Sequence, residues 1–237
     1  MGYFLCVVLG LTLAALAARW QPRTVGLPPH QRQLVAVAAL VGAIVGAYGL
    51  QLPADLAGWN APPPPGAAGD ALPLGGRTVL GGLLGGWLAV EAAKLGLGIR
   101  RPTGGDFALP LAIALCCGRF GCLCAGCCAG EPCAAAWYAT VDAAGTPRWP
   151  VQMLEAMFHG FAAVVLALAA QRRWAPERRL AAYLAAYAVV RFLLEFWRQH
   201  PPVLGGLSWH QLLAVALFAL AGGTFLVRCA RPRTAAV

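Results

Sequence analysis

Five ionisable residues lie inside segments apolar enough to be buried in a membrane. They are Arg119, Glu155, Arg191, Glu195 and Arg198. An ionised side chain in the middle of a bilayer costs about 2.5 kcal/mol or more on insertion scales, so such residues usually serve a function. Three guanidinium groups against two carboxylates leave an excess of positive charge. That excess predicts an anionic ligand, and phosphate fits because a guanidinium binds it with two parallel hydrogen bonds.

The spacing of four of the polar residues predicts one helix face. Tyr187, Arg191, Glu195 and Arg198 follow one another at i, i+4, i+8 and i+11. An arginine and a glutamate four residues apart can also be purely structural, because each neutralises the other. Polar residues in neighbouring apolar segments could join them. These are Gln152, His159 and His210.

Six of the nine cysteines lie in one stretch, "CCGRFGCLCAGCC", at residues 116–128. Cys122, Cys124 and Cys127 have CxC and CxxC spacing, which a metal site can use. If they lie on one helix, however, their side chains point in different directions, so the sequence predicts no metal site. Cysteine also serves as a small, easily buried apolar residue, and this explains the cysteines in the interior of the span. In an oxidising compartment, Cys127 or Cys128 can instead form a disulfide with Cys133, and the sequence does not decide the pairing.

The composition is that of a polytopic membrane protein. Of the 237 residues, 59% are apolar and only 11% are charged, whereas a soluble domain carries about 25% charged residues. The net charge of +9 does not indicate nucleic-acid binding, because the basic residues form no clustered stripe. They occur in small groups between apolar runs, as in membrane loops.

The apolar runs predict an all-α bundle of seven transmembrane helices, since about 20 apolar residues cross a bilayer. The predicted spans are 3–19, 33–52, 79–97, 107–126, 151–170, 180–198 and 207–227. Polar and Pro/Gly-rich segments at 53–78 and 127–150 predict extramembrane loops. We expect residues 1–237 to form one integral membrane domain. The first segment is predicted to be a retained span, because no basic residue precedes its apolar run.

The lysine and arginine distribution predicts the orientation. One set of loops holds nearly all the basic residues, whereas the other set holds Arg77 and Arg148. By the positive-inside rule, the N-terminus lies outside and the C-terminus lies in the cytoplasm. With this orientation Arg119, Glu155, Arg191, Glu195 and Arg198 fall in the outer half of the membrane. A cavity open to the outer leaflet would give them access to an anionic phospholipid.

Several segments together resemble the bacterial prolipoprotein diacylglyceryl transferases. They are "GRFGCLCAGCCAG", "WPVQMLEAMFHG", "YAVVRFLLEFWRQHP" and "GLSWHQ". The resemblance implies a multi-pass enzyme of the bacterial cytoplasmic (inner) membrane that needs no cofactor. Such an enzyme transfers diacylglycerol from phosphatidylglycerol to the lipobox cysteine in the signal peptide of a prolipoprotein. Glycerol phosphate is released.

The resemblance also implies roles for individual residues. Arg119, Arg191 and Glu195 correspond to catalytic positions. The positions that correspond to substrate-binding residues are Gln152, Glu155, Tyr187, Arg198, Gln211, Gly81 and Gly82. For Gly81 and Gly82, small-residue packing between helices is an alternative explanation.

The chain departs from the family pattern at four positions. Leu80 stands where the family has a histidine, Cys122 and Ala125 replace two signature asparagines, and Cys127 replaces a signature glutamate. A thiol must lose its proton to become a nucleophile, so another base is needed. We expect His159 or His210 to supply it, or the arginines to lower the pKa of the incoming thiol. Alternatives are transfer to a different acceptor and a non-catalytic lipid-binding or thiol-redox protein on the same scaffold.

Overall fold

The computed structural model describes residues 2–23, 26–60, 77–142 and 144–230. It is an all-helical structure with two very short hairpins. The helices are α1 (Gly2–Trp20), α2 (Pro29–Gly49), α3 (Leu52–Ala57), α4 (Val79–Gly96), α5 (Gly105–Cys124), α6 (Val151–Gln171), α7 (Arg179–Leu194) and α8 (Trp209–Ala230). A 3-10 turn, Glu195–Trp197, follows α7 directly. The strands are β1 (Thr140–Val141), β2 (Pro147–Arg148), β3 (Pro202–Leu204) and β4 (Leu207–Ser208).

Seven helical segments in the described part of the chain are long and apolar enough to cross a membrane, with α3 counted as a continuation of α2. The predicted seven-helix membrane bundle is therefore confirmed, and the predicted ends lie within four residues of those of the long helices. Local chemistry sets several boundaries. Proline precedes the first residue of α2 and of α6, where its missing N–H costs nothing. The protein is a multi-pass membrane protein.

The chain divides into two compact units. The first contains the described residues of 1–25, 102–191 and 218–237, and the second contains those of 26–101 and 192–217. In the first unit, α5 packs against both α1 and α6; in the second, α2 packs against α4. The single domain expected from the sequence stays a prediction.

Close glycine packing holds α2 against α4 in the second unit. Each helix carries a GxxxG pair, Gly42 and Gly46 on α2 and Gly81 and Gly85 on α4. A methyl group added to Gly81 would collide with the carbonyl oxygen of Gly46, and one added to Gly85 would collide with that of Gly42. Small residues allow helix backbones to approach in this way in the absence of a hydrophobic driving force.

This packing accounts for Gly81 without a ligand, and Gly82 lies at the same interface. A methyl group on Gly82 would come within 3.3 Å of the carbonyl oxygen of Ala43. A role for the two glycines in binding a lipid headgroup stays a prediction. Leu80, which precedes them, is 1% exposed, so this position contributes an apolar side chain to the core of the second unit.

Small residues also position α5 in the first unit. A methyl group on Gly10 of α1 would lie 2.6 Å from Cβ of Cys117, and one on Gly121 would lie 3.1 Å from Cδ2 of Tyr3. On the α6 side, the thiol of Cys116 donates to the carbonyl oxygen of Ala156 over 3.4 Å. Buried apolar contacts thus fix the helix that carries Arg119.

The predicted extramembrane segment 127–150 contains an ordered hairpin, in which β1 pairs with β2 antiparallel. Asp142 accepts the backbone N–H groups of Ala144 and Thr146, and its Oδ2 lies 2.5 Å from Nε of Arg148. The hydrogen bond from Arg148 is the main reason why the pKa of Asp142 is lowered. Of the other predicted segment, 53–78, residues 61–76 lie outside the described part of the chain.

Candidate functional site

Two helices of the first unit bring a buried arginine and a buried glutamate together. Arg119 lies in the last two turns of α5, and Glu155 lies in the second turn of α6. Nε of Arg119 is 2.5 Å from Oε2 of Glu155, whose side chain has no solvent exposure. From the sequence alone, Glu155 was one of several polar residues on different helices and had no assigned partner. The helix packing makes it the immediate partner of Arg119.

Helix α7 adds a second guanidinium and a phenol to the same carboxylate. Nε of Arg191 lies 3.6 Å from Oε1 of Glu155, and the hydroxyl of Tyr187 donates to Oε2 over 3.2 Å. Tyr187 and Arg191 are four residues apart on α7, so they lie on one face of the helix. We call Arg119, Glu155, Tyr187 and Arg191 the arginine cluster.

The arginine cluster brings two guanidiniums to one carboxylate, and all three groups are buried. Burying these charges is costly, because desolvation removes the hydration of each. Guanidiniums held in this way can donate paired hydrogen bonds to a phosphate. The two guanidiniums sit on opposite oxygens of Glu155, so the carboxylate fixes the separation of the two cations.

Gln152 lies one turn before Glu155 on α6 and is 1% exposed. Its Nε2 donates weakly to Oγ1 of Thr140 over 3.5 Å. Its Oε1 is buried, and it accepts no hydrogen bond from the described residues. A buried amide oxygen without a donor is costly, so this oxygen is suited to accept a hydroxyl from a ligand.

His159, predicted as a candidate base, lies on the same helix but is sealed in an aromatic core. Its Nδ1 is 2.8 Å from the hydroxyl of Tyr183, and its ring lies 4.5 Å from that of Tyr187. It has no solvent exposure. These contacts support Tyr187. A role for His159 as the base stays a prediction.

In the second unit, Glu195 is the centre of another polar group. Its Oε1 lies 2.7 Å from Nδ1 of His200 and 3.5 Å from Nδ1 of His210, and it accepts the hydroxyl of Ser208 over 3.0 Å. The two imidazole rings are 4.3 Å apart. We call Glu195, His200, Ser208 and His210 the histidine cluster.

A capping box begins α8 and fixes one side of the histidine cluster. The backbone N–H of Ser208 donates to Oε1 of Gln211 over 2.9 Å, and the N–H of Gln211 donates to Oγ of Ser208 over 3.2 Å. This is the reciprocal S-x-x-Q pattern of a helix N-terminus. Gln211 thus caps α8, and its role in substrate binding stays a prediction.

A buried hydrogen-bond network continues from the histidine cluster into α2 and α3. Nε2 of His210 lies 3.3 Å from Oε1 of Gln51, whose Nε2 donates to Asp55 and Asn60. The indole N–H of Trp209 donates to the carbonyl oxygen of Leu50. None of these residues of the 50–60 segment was predicted as part of a site, because nothing in their local pattern distinguishes them from ordinary turn residues.

Arg198, predicted to bind substrate, follows the 3-10 turn of the second unit. It is half-buried, its backbone turns into an extended conformation, and its N–H donates to the carbonyl oxygen of Glu195. His200 was missed by the sequence analysis. Its signal was available, since it lies five residues after a membrane-buried glutamate and beside the "HPP" end of the helix.

The cysteines form a third group at the end of α5. The helix ends at Cys124, so the expectation that Cys122 and Cys127 share one helix is wrong. Gly126 adopts a left-handed φ of 63°, its N–H bonds the oxygen of Leu123, and the N–H of Cys127 bonds the oxygen of Cys122. This Schellman motif turns the chain back on the helix.

The turn brings the Sγ atoms of Cys122, Cys127 and Cys128 within 4.8 Å of one another. We call these three residues the cysteine cluster. Hydrogen bonding, first with Cys122 and then with Cys128, raises the pKa of Cys127. Every cysteine of the chain lies in the described part, and none of them is joined in a disulfide there. A disulfide of Cys127 or Cys128 with Cys133 stays a prediction.

The comparison with known proteins agrees with the resemblance. The family model described as prolipoprotein diacylglyceryl transferase matches residues 1–227. The chain is similar to phosphatidylglycerol–prolipoprotein diacylglyceryl transferase 2 of Clostridium perfringens, with 29% identity over 158 residues that cover 64% of this chain and 61% of that protein. It is also similar to the phosphatidylglycerol–prolipoprotein diacylglyceryl transferase of Methylococcus capsulatus, with 33% identity over 138 residues that cover 57% of this chain and 53% of that protein.

The matches span less than two thirds of the length of these curated relatives. The family model, in contrast, covers nearly the whole of this chain, including α5, α6, α7 and the start of α8. These are the elements that carry the arginine cluster and the histidine cluster. The chain therefore belongs to the prolipoprotein diacylglyceryl transferase family.

Proposed function

We propose that this protein transfers the diacylglyceryl group of phosphatidylglycerol to a cysteine thiol in the signal peptide of a prolipoprotein. The observation that carries the proposal is the arginine cluster, in which two guanidiniums share one buried carboxylate inside a membrane helix bundle. Family membership and the names of the relatives support phosphatidylglycerol as donor and a prolipoprotein as acceptor.

In the proposed reaction, the acceptor sulfur attacks the terminal glyceryl carbon that is bonded to the lipid phosphate. A carbon–sulfur bond forms and the carbon–oxygen bond to phosphate breaks. The electron pair stays on the phosphate oxygen, and glycerol phosphate leaves with one more negative charge than the lipid phosphate had. Arg119 and Arg191 stabilise that developing charge, which is the contribution that guanidinium clamps make in phosphoryl chemistry.

Glu155 and Tyr187 act as positioning residues in this proposal. The Glu155 carboxylate holds one guanidinium on each oxygen, so the two cations are fixed before the lipid arrives. Preorganised charges of this kind need no rearrangement during the reaction. Gln152 is suited to bind a hydroxyl of the glycerol headgroup, because its buried Oε1 accepts no hydrogen bond from the described residues.

The thiol proton needs an acceptor, since Leu80 replaces the histidine of the family pattern. That acceptor is a base or a water molecule of the reactive centre. His159 and His210 stay the predicted candidates for the base.

We further propose that the protein lies in the bacterial cytoplasmic membrane with its N-terminus outside and its C-terminus in the cytoplasm. The distribution of basic residues between the loops supports this orientation. Lipobox cysteines become accessible from the outer leaflet, so a reactive centre in the outer half of the membrane suits that substrate.

A reconstituted assay tests the function. The purified chain in mixed micelles of phosphatidylglycerol, incubated with a lipobox peptide, should convert the peptide to a species heavier by one diacylglyceryl group. Glycerol phosphate should be released in equal amount, and phosphatidylcholine should not replace phosphatidylglycerol. A folded preparation that is stabilised by phosphatidylglycerol but yields no product would support the lipid-binding alternative instead.

A further inference from the structure

The cysteine cluster has the composition of a site for a soft metal ion. Cys122, Cys127 and Cys128 each offer one sulfur, and the three Sγ atoms lie within 4.8 Å of one another. Thiolate ligands select thiophilic ions such as Zn²⁺ and Cu(I) over hard cations. Oxygen-preferring ions such as Mg²⁺ and Ca²⁺ are excluded by the same chemistry.

The sulfur spacing suits a tetrahedral ion. Zn–S bonds of about 2.3 Å at tetrahedral angles place the sulfurs roughly 3.8 Å apart. The three Sγ atoms lie within 4.8 Å of one another, so each pair must approach by about 1 Å or less to reach that distance. Rotation of the side chains provides this movement. A disulfide requires much more, because two sulfurs must approach to about 2.05 Å with a defined dihedral angle.

The backbone holds these three thiols together independently of any side-chain contact. In the Schellman motif, Cys122 and Cys127 occupy the two positions whose side chains normally meet across the helix end. Cys128 follows with a φ of 61°, a left-handed conformation that is uncommon for a residue with a side chain. A strained backbone of this kind persists where the surroundings determine it, and it occurs often at ligand sites.

The cluster is also accessible. Cys127 and Cys128 are exposed, whereas Cys122 is half-buried at the end of α5. An ion can therefore reach the three sulfurs from solution, and the half-buried sulfur gives it a ligand shielded from competing water. Three protein ligands leave the fourth tetrahedral position open to water or to an external thiol, which is the arrangement of catalytic rather than structural zinc sites.

We propose that Cys122, Cys127 and Cys128 form a three-thiolate site for one thiophilic d¹⁰ cation of the Zn²⁺ class. The ion replaces the thiol protons when it binds and joins the end of α5 to the segment that follows it. This inference stands on the geometry of the cysteine cluster and does not require the proposed transferase activity.

Metal titration of the whole chain tests the site. The protein is purified in detergent with a phosphine reductant, freed of metal with a chelator and titrated with Zn²⁺. Elemental analysis should give one zinc per chain, and X-ray absorption should show three sulfur ligands at about 2.3 Å. Co²⁺ in place of Zn²⁺ should give a thiolate charge-transfer band.

Single serine variants identify the ligands. Cys122→Ser, Cys127→Ser and Cys128→Ser should each weaken Zn²⁺ binding by more than the roughly 10–100-fold that loss of an outer-shell partner costs. Cys124→Ser is the matched control, because Cys124 is an exposed thiol at the same helix end but not part of the cluster. Thermal unfolding of each variant in the absence of metal confirms that the fold is kept.

Three results would overturn the proposal. They are wild-type protein that binds no stoichiometric Zn²⁺, a Cys124→Ser variant that loses as much affinity as the cluster variants, and a zinc spectrum without sulfur ligands. Mass spectrometry of unreduced protein adds a decisive arm. If unreduced protein contains a Cys122–Cys127 disulfide and the reduced protein binds no zinc, the cluster is a redox pair and not a metal site.

Discussion

Arg191→Ala is expected to lower the rate of diacylglyceryl transfer by about 10²–10³-fold, the cost of removing one preorganised donor from a developing oxyanion. Nε of Arg191 is 3.6 Å from Glu155, whereas that of Arg119 is only 2.5 Å away. Both guanidiniums thus lie beside one carboxylate, where each can donate a pair of hydrogen bonds to a phosphate. The measurement is the turnover number of the variant in the micelle assay with saturating phosphatidylglycerol, compared with that of the wild type.

The geometry of the guanidinium separates a phosphate role from simple charge. Arg191→Lys keeps the positive charge but loses the planar pair of donors, so it should remain well below wild type. Arg179→Lys is the matched control, because Arg179 is a buried arginine of the same helix that donates to the carbonyl oxygens of Trp174 and Ala169. Equal activity of the two lysine variants would argue against bidentate binding of phosphate by Arg191.

Glu155→Gln is expected to destabilise the protein by about 3–5 kcal/mol, the usual cost of removing one partner of a buried ion pair. The substitution leaves Arg119 and Arg191 in the core without the carboxylate between them. Tyr187 keeps an acceptor in the amide oxygen, so most of the loss arises from the two uncompensated guanidiniums. Thermal unfolding in detergent should show a clear fall in the midpoint temperature. A variant too unstable to be purified should show a low level of folded protein in the cells that express it.

A double-mutant cycle shows whether the loss of stability in Glu155→Gln arises from uncompensated charge. If it does, Glu155→Gln together with Arg119→Gln should cost less than the sum of the two single changes, because each single change leaves a buried charge behind. Glu177→Gln is the control, since Glu177 and its partner Arg178 are both partly exposed. Exposed pairs contribute about 0–1 kcal/mol. A Glu155→Gln midpoint temperature equal to that of Glu177→Gln would contradict a buried ion-pair role.

The amino-acid sequence by itself determined the membrane class, the seven helices and the helices that carry Arg119, Glu155 and Arg191. The prediction that Glu195 and Arg198 continue the helix face of Tyr187 and Arg191 is wrong, because α7 ends at Leu194, Glu195 begins a 3-10 turn and Arg198 has an extended backbone. Each of the features that the sequence determined depends on information that is local in the chain. A run of about 20 apolar residues forms a helix in lipid whatever surrounds it, because every backbone hydrogen bond must be made within the segment. Arg119, Glu155 and Arg191 stood out for a similar reason, since a charge in such a run is costly enough to be noticed without a structure.

The capping box of α8 is an equally local feature, because S-x-x-Q at Ser208 and Gln211 is its sequence pattern, although the sequence analysis assigned Gln211 to substrate binding alone. The glycine at 126 carried a local signal too. A glycine just after the last apolar residues marks a helix end, and it is what places Cys122 beside Cys127. Treating the cysteines as members of one longer helix missed that turn.

Only the tertiary structure decided which charged groups pair. Glu155 lies 36 positions from each arginine, and the packing of α5, α6 and α7 places both guanidiniums on its two oxygens. It also showed that His159 is enclosed by aromatic rings, that His200 contacts Glu195 and that Gly81 contacts the backbone of α2. The physical reason is that hydropathy and capping act over a few residues, whereas partner choice depends on how distant helix faces meet.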